Sequence, residues 1–289
     1  MKQRVILLVG ILISTMSYAQ FEISAGTGYA IGSAEMKLGT ETTATSVENT
    51  YGSYGEGVNF QLRGTYFFNE KVGLDLGVGY LNGADHTISR VDIPSRNIDV
   101  DAIARGRAFG ATVAVAYKFT DNFYGRVGAL LKVAGKTEAV VFNSTLLSEE
   151  ERAPYSLPEG SYSETNYVED YHGKFPLGFV GALGYKFPID NNFSIYVEAE
   201  YYGISLKRKD SELQEFNTNL FTPDGNMVAE GVYTLDNLPP GYVKKTNYVD
   251  ELRNDNTDPS KKLSQKVPYS SFGINVGVTY KFKKSAKKQ

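Results

Sequence analysis

The chain has 289 residues, of which 42% are hydrophobic and 22% charged, so its composition argues against a disordered protein. It contains no cysteine, which argues against a disulfide scaffold and thiol chemistry, and no zinc spacing or nucleotide motif, so no cofactor is predicted. A formal net charge of −3 argues against nucleic-acid binding, whereas 29 glycines, 21 tyrosines and 16 phenylalanines favour β-structure.

The first nineteen residues have the layout of a secretory signal peptide. Lys2 and Arg4 form a basic start, residues 5–13 are apolar, and residues 17–19 supply small side chains at a cleavage site. We predict that residues 1–19 are removed on export, with a short N-terminal anchor helix as the alternative. Loss of Lys2 and Arg4 leaves 28 basic residues against 33 acidic ones, a net charge of −5.

Eight segments alternate apolar residues with small or polar ones, which is the period-two pattern of β-strands. In chain order they cover residues 21–31, 60–68, 72–80, 111–119, 123–133, 179–187, 193–201 and 272–282. In the last of them, six apolar residues from Phe272 to Phe282 share one face. A strand of about 9–11 residues is long enough to cross a bilayer when tilted.

Short and long connections alternate between these segments. The short ones cover residues 69–71, 120–122 and 188–192, and the long ones cover about 33–56, 82–105, 137–172 and 207–268. A soluble barrel would place charges on its second face, whereas here that face is mostly Gly, Ala, Ser and Thr. We predict an all-β, eight-stranded antiparallel up-and-down transmembrane β-barrel over residues 20–282, with short periplasmic turns and long extracellular loops. Ten strands remain the alternative if residues 207–268 add a crossing.

An aromatic residue and a phenylalanine two positions later recur where four of the segments end. The two side chains of each pair point outward, because residues two apart share a face of a strand. We predict that they form an aromatic girdle at the periplasmic membrane surface. Its members are Tyr66, Phe68, Tyr117, Phe119, Tyr185, Phe187, Tyr280 and Phe282. The lysines within three of these pairs, Lys118, Lys186 and Lys281, are predicted to point inward near the mouth.

Charged residues recur on the faces predicted to point into the lumen. They are Glu22, Arg63, Asp75, Arg126, Lys132, Glu198 and Glu200. Because an unpaired charge in a narrow lumen is unfavourable, we predict that they pair as a structural network. A gated path for ions or protons is the alternative. Glu198 and Glu200 share a face, as a catalytic carboxylate pair does, but basic neighbours are expected there.

The signal peptide, the eight segments, the three short turns and the final strand "FGINVGVTYKF" resemble small outer-membrane β-barrel proteins of the OmpA/OmpX type, in the form common in Bacteroidetes-like bacteria. The resemblance covers residues 20–282 and implies an outer-membrane location, among lipid and lipopolysaccharide. It also implies insertion by the barrel-assembly machinery, which reads a final-strand phenylalanine. Phe282 matches that signal, although residues 283–289 follow it as a predicted basic periplasmic tail.

The predicted function is non-enzymatic: an envelope structural or surface-interaction role, in which the extracellular loops meet an unknown partner. A narrow channel or small-solute porin is the alternative. A lipid-modifying enzyme comes third, because some barrel enzymes of this membrane use a histidine near the outer rim, where His86 and His172 are expected. We predict no catalytic residue and no metal site.

Two of the long loops have further features. The loop over residues 137–172 is acidic, and divalent cations shared with lipopolysaccharide are one interpretation of it beside a solvated surface. In the fourth loop a hairpin is expected around residues 237–241. Its tyrosines, Tyr233, Tyr242 and Tyr248, serve either recognition or packing of the loop on itself.

Overall fold

The computed structural model describes residues 20–94 and 98–282. The predicted signal peptide and basic tail lie outside these residues. Within them the chain forms seventeen strands, one short α-helix, α1 (Glu149–Arg152), and a 3₁₀ turn at Ala153–Tyr155. No helix in this part of the chain is both long and apolar enough to cross a membrane.

The strands follow one another from the beginning of the described chain to its end. The first nine are β1 (Gln20–Gly32), β2 (Met36–Thr43), β3 (Val47–Gly52), β4 (Gly57–Phe67), β5 (Val72–Gly83), β6 (His86–Ile93), β7 (Ile98–Lys118), β8 (Phe123–Leu146) and β9 (Tyr162–Gly173). The remaining eight are β10 (Leu177–Pro188), β11 (Phe193–Gly203), β12 (Ser205–Phe221), β13 (Met227–Thr234), β14 (Lys245–Val249), β15 (Lys261–Leu263), β16 (Lys266–Pro268) and β17 (Ser271–Lys281). The all-β prediction is therefore confirmed.

Eight of these strands correspond to the eight predicted segments, three of which extend one residue past the end of the strand, and they pair with one another in a closed cycle. Following the pairs leads from β1 to β4, β5, β7, β8, β10, β11 and β17, and from β17 back to β1. Every pair is antiparallel. We call these eight strands the ring, the end with the three short turns the turn end, and the opposite end the loop end. Because β11 pairs directly with β17, residues 204–270 contribute no strand to the cycle.

The two faces of the ring differ as the alternation predicts. Polar and small side chains inside it are buried, and Glu198 has no exposed surface. Apolar side chains outside it are about half exposed, as at Leu76 (51%) and Val127 (63%). The interior leaves little room for side chains: a Cβ on Gly26 would lie 2.1 Å from the Tyr196 hydroxyl, and one on Gly277 would lie 2.6 Å from the same ring. Glycine at both positions therefore lets Tyr196 fill the ring.

The prediction that the long connections are loops is wrong. β7 begins at residue 98 rather than 111, β8 continues to 146 rather than 133, and nine further strands lie in the connections. β13 and β14 flank residues 237–241 but do not form the hairpin expected there, because each of them pairs with β12.

A reversal in the hydrophobic pattern explains this difference. Along β7 the outward face carries Phe109, Val113 and Val115 within the ring, but Asp101 and Arg105 beyond the ring, where the strand continues into the outer sheet. The inward face changes in the opposite sense, from Thr112 to the buried Ala102 and Ala104. A strand that changes its apolar face in mid-course looks like two unrelated segments, so the alternation predicted only its apolar-outward half.

The strands beyond the ring extend it as a second β-structure. β6, β7, β8, β9, β12 and β13 pair in that order, and β2 joins β6 in parallel. We call this the outer sheet. β8 continues for thirteen residues beyond Val133, a length of about 40 Å along the strand.

An apolar cluster lies where the ring meets the outer sheet. Its buried members are Tyr54, Ala104, Ala108, Leu130, Ala139, Ile204, Leu206 and Tyr269. The Tyr54 amide donates to the Pro268 carbonyl at 3.0 Å, and the Tyr269 amide donates to the Ile204 carbonyl at 3.1 Å. These bonds hold the connections after β3 and β16 in place, so the cluster packs at the loop end of the ring.

Candidate functional site

The inside of the ring holds a group of ionic contacts at its turn end. The Lys118 Nζ donates to Glu22 Oε1 at 2.8 Å, and Lys186 donates to the other carboxylate oxygen of Glu22. The Lys118 ammonium also lies 3.8 Å from the centre of the Phe67 ring. Lys118 and Lys186 therefore lie inside as predicted, whereas Lys281 is exposed.

A second group lies in the middle of the ring and centres on Glu198. Arg63 Nη1 donates to Glu198 Oε1 at 2.6 Å, Arg126 Nη2 donates to the same oxygen at 2.9 Å, and the Tyr124 hydroxyl donates to Oε2 at 2.8 Å. Arg126 also donates to Glu200. All four charged side chains are buried, so this group joins β4, β8 and β11 across the interior.

Asp75 and Glu200 complete that middle group. The Thr65 hydroxyl donates to Asp75 Oδ2 at 2.6 Å, and Arg126 Nη1 lies 3.8 Å from Asp75 Oδ1. The Asn275 amide donates to Glu200 at 2.7 Å. We call Arg63, Asp75, Arg126, Glu198 and Glu200 the central network. Glu198 and Glu200 share Arg126, and Glu198 also pairs with Arg63, so each carboxylate has a cationic neighbour, as expected for a structural pairing.

Lys132 stands apart from the other predicted lumen charges. Among the described residues, no carboxylate lies within ion-pair distance of its ammonium. That ammonium lies 4.8 Å from the centre of the Tyr269 ring, in the apolar cluster. The structure thus brings five of the seven predicted lumen charges together, gives Glu22 two lysine partners at the turn end, and places Lys132 beside an aromatic ring.

The eight residues of the predicted girdle lie on the outside of the ring at its turn end. In each pair the two rings are in contact, with centres 5.4 Å apart for Tyr66 and Phe68 and 4.8 Å apart for Tyr280 and Phe282. Their centres are 5.2 Å apart for Tyr117 and Phe119, and 4.8 Å apart for Tyr185 and Phe187. Neighbouring strands add further rings to this level, since Phe193 lies 4.9 Å from Tyr280.

A second level of outward aromatic residues, which was not predicted, lies towards the loop end. Its members are Tyr29, Phe60, Tyr80, Phe109, Phe179, Tyr201 and Phe272. Tyr80 and Phe109 are in contact with centres 4.7 Å apart. The signal that could have found it is a spacing of eight residues on one strand, as between Tyr117 and Phe109 or Tyr280 and Phe272. Eight residues span about 26 Å along a strand, so the apolar band has aromatic rings at both edges.

The outward face of the outer sheet carries a separate set of ion pairs. Glu138 accepts from Arg105 Nε at 2.8 Å and lies 2.9 Å from the Lys136 ammonium, which also donates to Asp170 at 2.8 Å. Partial burial acts to raise the pKa of Glu138, but the hydrogen bonds from Lys136 and Arg105 outweigh it and hold that pKa below its usual value. These contacts link β7, β8 and β9.

The inward face of the outer sheet carries an aromatic layer. Tyr167 stacks on Phe216 with centres 5.8 Å apart, and Tyr242 contacts the Phe216 ring edge-on at 5.1 Å. Burial raises the pKa of Tyr167 to about 12. Arg208 lies 4.5 Å from the Tyr171 ring and 5.8 Å from that of Tyr248. Two of the three tyrosines singled out in the sequence, Tyr242 and Tyr248, therefore pack against the sheet.

The two histidines are in different surroundings. His172 Nδ1 lies 2.8 Å from Asp210 Oδ1 on the outer sheet, and His86 contacts the Tyr54 ring edge-on with centres 5.8 Å apart. Within residues 20–94 and 98–282, neither has a hydrogen bond to a serine hydroxyl. The acids of the predicted third loop are distributed over β8, α1, the turn that contains Glu159, and β9. No group of three or more possible metal ligands is found in the described part of the chain.

In comparisons with known proteins, residues 5–222 match the outer membrane protein beta-barrel domain family. No curated protein matches the chain. OprG of Pseudomonas aeruginosa is 13% identical, with a TM-score of 0.39, over 92% of this chain and 97% of that chain. A major outer membrane protein of Thermus thermophilus is 12% identical, with a TM-score of 0.36, over 91% of this chain and 99% of that chain.

A third solved structure is similar at the same level. Ail of Yersinia pestis, in complex with the heparin analogue sucrose octasulfate, is 12% identical, with a TM-score of 0.31, over 91% of this chain and 97% of that chain. At these TM-scores the likenesses to solved structures carry no argument about the role of this chain.

Proposed function

Because the chain belongs to the outer membrane protein beta-barrel domain family, we propose that its ring crosses the outer membrane as an eight-stranded antiparallel up-and-down barrel. The closed cycle of paired strands supports this proposal, since lipid offers no hydrogen-bond partners for the backbone groups of an unpaired strand. The apolar band between two aromatic levels supports it as well. The change from Arg107 to Phe109 on the outward face of β7 then marks the passage from water to lipid.

In this arrangement the short turns face the periplasm and the outer sheet stands outside the cell. Lipid and lipopolysaccharide surround the barrel, and insertion by the barrel-assembly machinery remains a prediction, as does the removal of residues 1–19. The outer sheet is the structural feature on which the proposed function rests. It replaces flexible loops by a continuous β-structure that projects well beyond the membrane surface.

The protein's role is accordingly non-enzymatic: it presents the outer sheet to a partner outside the cell. A rigid β-platform supports this role because less conformational entropy is lost on binding than with a disordered loop. The interior supports it too, since the central network and the apolar cluster occupy most of the inside of a barrel whose eight strands leave little space. The barrel then serves as the anchor and the outer sheet as the interacting part.

The first experiment tests whether the barrel conducts. Folded protein is reconstituted in a planar bilayer and its single-channel conductance is recorded. We expect no discrete openings, because the central network closes the interior. Reproducible openings that change in Arg63→Ala or Glu198→Ala would instead establish a narrow channel.

The second experiment removes part of the outer sheet without touching the barrel. Lys207 lies opposite Lys266 at the base of β12, so an Asn-Gly turn can replace residues 208–265 there. We expect this variant to fold, with the heat-modifiable electrophoretic mobility of a barrel, and to lose binding to extracellular proteins and glycans on an array.

A matched control shortens the connection between β8 and β9 and leaves the strands of the outer sheet intact. The Leu147 amide donates to the Ser161 carbonyl at 2.9 Å, so a short turn can replace residues 148–160. This control should keep the binding. Equal binding by the intact protein and by the variant lacking residues 208–265 would contradict the proposed role. A change in lipid A acylation that His86→Ala or His172→Ala abolishes would point to an enzyme.

A further inference from the structure

A cavity of about 100 Å³ lies inside the ring, between the central network and the apolar cluster. Arg63, Arg126 and Gln61 line it on the side of the network, and Leu206 and Tyr269 line it on the side of the cluster. On β5 and β7 the lining includes Gly77, Gly79 and Gly110, whose lack of side chains leaves this space open, together with larger residues such as Tyr80 and Phe109. The cavity is therefore a consequence of small inward residues just below the packed loop end.

Lys132 also lines this cavity, and it is a cation without a carboxylate partner among the described residues. The buried and half-buried side chains described inside the ring include four carboxylates, Glu22, Asp75, Glu198 and Glu200. They include five cations, Lys118, Lys186, Arg63, Arg126 and Lys132. With each in its usual charge state the described interior carries one net positive charge. Two lysines share Glu22 at the turn end, and two arginines share three carboxylates in the central network. Lys132 differs from these four cations because, among the described residues, no carboxylate lies within ion-pair distance of it.

The rest of the lining divides into a polar part and an apolar part. Thr112, Asn59 and Gln61 supply hydrogen-bonding groups, and the Gln61 Oε1 is buried without a hydrogen-bond partner among the described residues. Leu130, Ile204 and Leu206 supply apolar walls. A ligand that fits both parts has one polar end and one short hydrocarbon part.

We propose that this cavity binds a small monovalent amphipathic anion, a carboxylate with about two to four carbon atoms. Its charged end pairs with Lys132, and its hydrocarbon part lies against Leu130, Ile204 and Leu206. The volume limits the size of the ligand: this cavity is smaller than the apolar protein cavity of about 150 Å³ that accepts benzene, so the ligand is no larger than benzene. A single negative charge is favoured because Lys132 has no carboxylate partner among the described residues, and because the three carboxylates of the central network outnumber its two arginines and repel a second negative charge.

The test titrates butyrate into the folded protein in detergent micelles and follows binding by isothermal titration calorimetry. Butyramide, butylamine and chloride serve as probes of charge and shape. We expect butyrate to bind more tightly than all three. Affinity should rise by up to about fourfold for each methylene group between acetate and butyrate, because each added group leaves water for the apolar walls.

Two variants assign the binding to Lys132. Lys132→Met keeps most of the length of the side chain and removes its charge, and it should weaken butyrate binding by at least tenfold. Lys281→Met removes an exposed cation at the turn end, away from the cavity, and should leave the affinity unchanged. Heat-modifiable mobility on a gel shows that each variant is folded.

Three results would overturn the proposal. One is equal binding of butyrate to the intact protein and to folded Lys132→Met. Another is binding of butyramide as tight as that of butyrate, which needs no variant and therefore decides the matter even where Lys132→Met does not fold. The third is displacement of butyrate by equimolar chloride, which would reduce the cavity to a simple ion site. A supporting result here is independent of whether the outer sheet binds a partner.

Discussion

Arg126 holds two buried carboxylates at once, those of Glu198 and Glu200. Replacing it by methionine keeps most of its volume but leaves both carboxylates without their shared cation. Removing one partner of a buried ion pair typically costs about 3–5 kcal/mol. We therefore expect Arg126→Met to lower the free energy of unfolding by this amount, measured by urea titration in lipid vesicles.

The control for this change is an exposed arginine. Arg90 pairs with Asp101 at 3.4 Å and with Glu41 at 3.6 Å, and its side chain is 48% exposed. Because surface ion pairs contribute little, Arg90→Met should cost about 1 kcal/mol or less. Similar losses for the two variants would show that the central network is hydrated and does not hold the barrel together.

Substitutions on the outward face of β5 can distinguish a membrane barrel from a soluble one. Leu76 lies on its outward face near the middle of the apolar band, whereas Val72 lies at the turn end. An arginine facing lipid costs about 2–4 kcal/mol at the midplane and about 0–1 kcal/mol near the surface. We expect Leu76→Arg to lower the unfolding free energy in vesicles by the larger amount and Val72→Arg by the smaller one. Two near-neutral substitutions would mean that this face is in water.

The molecule as a whole has two parts with different responses to acid. Hydrogen bonds to Glu138 and to Asp210 hold the pKa values of both carboxyls low, against the effect of burial. A carboxyl with a lowered pKa stabilises the fold above its unfolded pKa, and this stabilisation is lost as the pH falls through the folded value. The outer sheet should therefore loosen below about pH 4.5, whereas the barrel amides stay shielded by lipid.

Hydrogen exchange measured at pH 7 and pH 3.5, corrected for the intrinsic rate, checks this expectation. Amides of β8 near residues 138–146 should lose protection, and those near residues 125–131 should not. Glu138→Gln should already weaken protection of the outer sheet at pH 7 and reduce the effect of acid. Equal losses along the whole of β8 would contradict a separate response of the two parts.

The ring strands were predictable because the two faces of each strand lie in different environments, one outside the ring and one inside it. Segments such as 72–80 and 272–282 place apolar residues outside and small residues inside, so the period-two signal is strong. The lumen charges were found from the same alternation. Their partners were not, because pairing across the ring joins residues such as Arg63 and Glu198, which are far apart in the sequence.

The sequence by itself determined the all-β fold, the family and the positions of the outward aromatic pairs, since all three depend on local alternation. The tertiary structure decided where the strands end, because β7 and β8 reverse their apolar face as they leave the ring. It also decided which charges pair and that Lys132 remains beside a cavity. Those outcomes depend on distances between residues that only the closed pairing of β1 with β17 brings together.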